Sequence, residues 1–100
     1  MNNVQLYAMS KKVLKKPSKR GKYQVVLHND THNTFDHVIG CIMDACDHNE
    51  LQAHQCALIV HNVGRCAVFI DTYDACEAVY EYFIKCNLTA TLEKHVKKNS

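Results

Sequence analysis

The chain has 100 residues, 47% of them apolar, and a formal net charge of +2. That length allows one domain with a single modest core, and no apolar run approaches the roughly 18 residues a membrane span needs. The small net charge hides an asymmetry: residues 1–22 hold seven Lys or Arg and no acid, whereas residues 23–100 hold five basic and ten acidic side chains.

A basic arm thus precedes a mildly acidic globule. The arm (residues 1–22) has no hydrophobic periodicity. Pro17 interrupts it and Gly21 closes it, so a flexible segment is expected. Three uses suit such an arm: engaging an acidic partner, neutralising phosphates of a nucleic acid, or simply keeping the protein soluble.

Residues 23–29 are rich in β-branched side chains and read as a strand. Asn33 then suits a helix N-cap, with Asp36 in the first turn beside the positive end of the helix dipole. Phe35, Val38, Ile39, Ile42, Met43 and Cys46 follow at helical spacing and form one apolar stripe. A second helix starts at Asn49, with Gln52 as its capping-box partner; Ala53, Cys56, Ala57 and Val60 share its inner face. Gly64 fits the left-handed position past its end.

Residues 65–70 read as a strand with Cys66, Val68 and Ile70 on one side. Thr72 caps a third helix with the stripe Ala75, Ala78, Val79, Tyr82, Phe83 and Cys86, and Asn87 ends it. Residues 88–94 alternate as a last strand, and residues 95–100 are expected to fray. The order β-α-α-β-α-β predicts an α+β two-layer sandwich, a three-stranded antiparallel sheet with its helices on one face.

Six cysteines, at 41, 46, 56, 66, 76 and 86, would mean three disulfides in a secreted chain. The polar, Lys-rich start carries no signal-peptide pattern. No CxxC occurs either, so the thiols read as small buried apolar groups of a cytoplasmic protein.

The stretch from Val25 to Val38, VVLHNDTHNTFDHV, gathers side-chain carbonyls and a carboxylate where a strand end meets a helix start. That corner is suited to half of a pocket for a cationic group attached to an apolar side chain. Two plainer readings stand beside it. Asn29-Asp30 could be only a turn former, and His61 only a satisfied structural histidine. His28, His32 and His37 near Asp30 and Asp36, with His54 and His61 seven residues apart, raise a metal site, but no dense ligand motif supports one. A Cys–His catalytic pair likewise lacks an identifiable orienting group.

Four pieces in order, LHND (residues 27–30), NTFDHVI (33–39), IVHNVGR (59–65) and NLTATLEK (87–94), resemble ClpS, the adaptor family that hands N-degron substrates to the ClpAP protease. The resemblance spans residues 23–94. It implies a non-enzymatic adaptor, without cofactor, that binds the first residue of a protein chain when that residue is bulky and apolar.

By resemblance Asn29 and His61 hold the α-amino group, with Asp30 retained beside them and Thr31 where the family has an acid. The implied apolar wall is Leu27, Phe35, Val38, Ala57, Val60 and Leu88. Phe35 replaces a Met gate of the better-known members and Ala57 a larger Met. Asn33-Thr34 stands where many members have Thr-Pro. The implied partner is the N-terminal domain of a ClpA-like AAA+ unfoldase, contacted through Asp74; a position five residues on, basic in known members, is Val79 here. The rival reading is a nucleic-acid-associated small α+β domain that uses its basic arm. The ribosomal stalk protein's C-terminal domain shares a related fold but does not need the HND and VH pieces.

Overall fold

In the computed structural model, residues 20–96 are described; the basic arm up to residue 19 and the end of the expected frayed tail lie outside them. The sheet is organised around β1 (Tyr23–His28), whose Val25, Val26 and Leu27 are 0%, 0% and 2% exposed. A strand apolar on both faces has to be central, and β1 pairs antiparallel on either side with β2 (Arg65–Asp71) and β3 (Ala90–Lys94), giving the order β2-β1-β3. Helices α1 (Phe35–Cys46), α2 (Glu50–Val63) and α3 (Tyr73–Lys85) complete the order β-α-α-β-α-β expected from the sequence.

Each helix start follows from local chemistry. Thr34, not Asn33, caps α1, accepting a hydrogen bond from the His37 amide at 3.1 Å. Asn49 and Gln52 form a reciprocal capping box on α2 at 2.8 and 3.0 Å. Thr72 caps α3. Gly64, at φ +104°, ends α2 by returning its amide to the Val60 carbonyl, a backbone state that L side chains rarely adopt.

The strand expectations need correction at several points, the first being that β1 ends at His28 rather than residue 29. The third strand begins at Ala90 rather than residue 88: Asn87 sits at φ 63°, and Leu88 returns its amide to the Phe83 carbonyl, so the chain is still turning off the helix. In β2 the alternation expected for Cys66, Val68 and Ile70 fails at a β-bulge. Val25 faces Phe69 while Val26 faces Ala67, which leaves Val68 as the extra residue. The phase therefore slips, Phe69 packs on the core, and Ile70 is 48% exposed. β2 also extends through Asp71.

The core lies between sheet and helices, with Phe83, Ile42, Val25 and Cys76 among its fully buried side chains. On the opposite face Arg65 of β2 donates to Glu93 of β3 at 2.6 Å, a bridge that crosses the central strand on the side where Val26 lies. Replacing Phe83 by Ala is expected to cost about 3–5 kcal/mol, because the removed ring is completely enclosed and α3 cannot collapse onto both sheet and α1 at once. Urea unfolding of wild type and variant measures it.

Candidate functional site

The end of β1 is fixed from both sides. His28 donates its amide to the Thr89 carbonyl and Asn29 donates its amide to the Gly64 carbonyl, both at 2.9 Å. Asn29 therefore sits at the α2–β2 junction, one turn past His61. The sequence puts these residues more than thirty positions apart, and sheet pairing brings them to one rim.

After Asn29 the chain turns around the Asp30 carboxylate. Its Oδ1 accepts from the amides of His32 at 3.2 Å and Asn33 at 2.9 Å, while Oδ2 accepts from Asn33 Nδ2 at 2.8 Å and the Thr89 hydroxyl at 3.1 Å. Asn33 Nδ2 also donates to the Asn87 carbonyl at 2.8 Å. Asn33, expected as the helix cap, is thus used instead to tie the loop to the connection between α3 and β3. Burial pushes the Asp30 carboxyl up, but the hydrogen bonds from Asn33, His32 and Thr89 outweigh it and hold the group below the ordinary carboxylate range.

Beside this turn opens a depression of about 490 Å³. Asn29, Asp30, Thr31, Asn33, His28 and His61 supply its polar rim; Phe35, Val38, Ala57 and Val60 supply its apolar wall. Eight of the ten residues expected from the sequence for the amine and apolar parts meet here. Leu27 and Leu88, 2% and 6% exposed, line an adjoining narrow void of about 10 Å³ that shares His28, Asp30, Val38 and Val60 with the open depression. Among the described residues no hydrogen bond occupies the Asn29 side-chain amide or the His61 ring. The rim thus offers an amide oxygen and an imidazole nitrogen to a donor, near a carboxylate, with an apolar wall adjacent.

Sequence reasoning missed His28 and Asn33 as rim residues, and missed His54, whose ring meets Phe35 edge-on with centroids 5.3 Å apart. The seven-residue spacing of His54 and His61 was the available signal, since it places both on one helix face. Asp74 lies in the first turn of α3 and is not part of the depression. Val79, where a cation would serve as a surface contact, is 2% exposed and packed in the core.

Among the described residues no three His, Cys, Asp or Glu side chains are placed to hold a metal ion. Two of the candidate histidines are engaged elsewhere: His28 Nε2 meets the Thr91 hydroxyl and His37 Nε2 donates to the Cys86 carbonyl, both at 2.8 Å. Among the described residues, Cys41 Sγ lies 3.7 Å from His37 Nε2. Burial and the neighbouring Cys86 thiol push the Cys41 thiol up to about 12, which leaves almost no nucleophilic thiolate near neutral pH. No helix among the described residues is long and apolar enough to cross a membrane.

Substituting Asp30 by Asn is expected to cost about 1–3 kcal/mol at neutral pH, because a charged acceptor that takes four hydrogen bonds is lost from the turn. The folded carboxyl is depressed, so this contribution is complete above the unfolded value of about 3.9 and disappears as pH falls through the lower folded value. Urea unfolding of both proteins between neutral and strongly acidic pH should show their difference closing only in acid.

The family model described as ATP-dependent Clp protease adaptor protein ClpS matches residues 18–87. Among solved structures, Agrobacterium tumefaciens ClpS2 bound to L-phenylalaninamide aligns with a TM-score of 0.71 at 19% identity, covering 77% of this chain and 100% of that one. At that identity the structural likeness is one of fold, and the family match spans well over half of the chain. The chain belongs to the ClpS family of ATP-dependent Clp protease adaptors.

Proposed function

We propose that this protein binds polypeptides through a bulky apolar first residue and delivers them to a Clp-type AAA+ unfoldase. The observation that carries the reading is the convergence of Asn29 and His61 on one rim of a depression walled by Phe35, Val38, Ala57 and Val60. Asn29 and His61 accept hydrogen bonds from the terminal ammonium. Asp30, its carboxylate already taken up by the turn, acts through its negative charge rather than as a direct ligand. Thr31 on the same rim offers a neutral hydroxyl. The first side chain lies along the wall, and Leu27 and Leu88 support Val38 and Val60 from behind. The phenylalaninamide held by the Agrobacterium relative has the same two features, a free α-amine and an apolar side chain.

Magnitudes support this division of roles. Burying a Leu or Phe side chain contributes roughly 1.5–3 kcal/mol, and each hydrogen bond to a charged group about 1.5–3 kcal/mol. One apolar anchor with two or three polar contacts reaches the ~8 kcal/mol of a micromolar complex, before ordering costs. Discrimination comes from the rim, because an acetylated or internal residue leaves its acceptors unpaired.

No covalent step is assigned to the protein. In delivery, Asp74 contributes to docking on the N-terminal domain of a ClpA-like unfoldase, away from the pocket. The basic arm is engaged during handover. Its length, charge and lack of apolar pattern suit that role better than substrate binding.

A fluorescence titration with peptides that differ only at the first residue tests the reading. Phe or Leu should bind near micromolar, N-acetylation should abolish binding, and Asn29→Ala or His61→Ala should weaken it by about 1.5–3 kcal/mol. Equal binding of free and acetylated peptides would refute the proposal. Deleting residues 1–16 should leave peptide affinity intact and stop substrate degradation by the unfoldase and its peptidase; a loss of affinity would place the arm in the binding site instead.

A further inference from the structure

One aromatic contact at the pocket mouth is not explained by binding alone. His54 and His61 stand seven residues apart on α2, and the Phe35 ring at the start of α1 contacts both. The Phe35–His54 centroids are 5.3 Å apart with ring planes at 73°, and the Phe35–His61 centroids are 6.4 Å apart at 85°. Both contacts are edge-to-face, the arrangement that ring quadrupoles favour. Phe35 and His61 line the depression, whereas His54 stands outside it.

Phe35 differs from the rest of the apolar wall in how it is held. Val38 and Val60 pack with the hydrophobic core, but Phe35 is half-buried and does not belong to that cluster. Its edge-to-face contacts with the two imidazoles therefore bear directly on the orientation of its ring. Both imidazoles are exposed, but only His61 borders the space a ligand would fill, so His54 is the neighbour that a ligand need not displace.

We infer that His54 is a positioning residue: it holds Phe35 edge-on at the mouth, and so makes the pocket favour an aromatic first side chain over an aliphatic one. The inference rests on the reading of the pocket as a site for the first residue of a chain. An incoming ring gains an edge-to-face partner only if Phe35 is already oriented; a Leu side chain gains burial from Val38, Ala57 and Val60 whichever way Phe35 turns. Without His54 the Phe35 ring must be ordered by the ligand itself, and the aromatic ligand bears that cost.

The test compares wild type, His54→Ala and His54→Phe with two labelled peptides that begin with Phe or Leu and are otherwise identical. For His54→Ala, affinity for the Phe peptide should fall about threefold to tenfold while the Leu peptide changes by less than about twofold. His54→Phe, which keeps an aromatic neighbour, should restore the preference. Because His54 is exposed, the urea midpoints of all three proteins should coincide. A wild type without a Phe preference, equal losses for both peptides, or failure of His54→Phe to restore the ratio would overturn the inference. If wild type bound neither peptide, the reading of the pocket itself would fall, and this inference with it.

Discussion

The Asp30 carboxylate is the fixed point on which the site depends. Its two oxygens take four donors from the turn after β1 and from Thr89 at the start of the β3 arm. Such a group is costly to remove from water, and it is tolerated because its two oxygens accept four hydrogen bonds. Through Asn33 the same cluster reaches the Asn87 carbonyl beyond α3. Two stretches of irregular backbone, the turn after β1 and the connection from α3 to β3, are thereby held together next to the start of α1.

That arrangement needs a rigid frame, which β1 supplies by being enclosed on both faces and paired on both edges. The position of α2 over the sheet then decides the shape of the depression. Its buried residues are small, Ala53, Ala57 and Val60, so the helix contributes wall without filling the space in front of it. The capping box at one end and Gly64 at the other fix its length, and Gly64 doubles as the residue whose carbonyl holds the Asn29 amide. One glycine thus ends the helix bearing His61 and anchors the strand bearing Asn29.

On the proposed reading the rim serves recognition rather than bond making. It combines acceptors and a nearby negative charge with an apolar wall, which suits an ammonium next to a hydrophobic group. The thiols that might have suggested another chemistry are held out of it: burial raises Cys41, Cys46, Cys66 and Cys76 alike, and none of them lines the depression.

Local pattern made much of this readable in advance. The helical stripes, the Asn49–Gln52 box, Gly64 and Thr72 depend on neighbours within four residues, and the fragments around Asn29 and His61 carried the family resemblance. Three features were beyond that reach. The bulge at Val68 is a property of two strands in register, so alternation within β2 could not reveal it. Asn33 is as good a cap as Thr34 by residue type; only the presence of Asp30 and the Asn87 carbonyl diverts its amide. Leu27 and Leu88, far apart in the chain, line a narrow void with Val38 and Val60, a grouping that no local pattern reveals. The sequence by itself determined the elements and their order, because helix caps, apolar periodicity and turn residues act over short spans of chain. Which side chains face one another across the site was decided only by tertiary structure, since that depends on how β1 is clamped between residues 64 and 89, far from it along the chain.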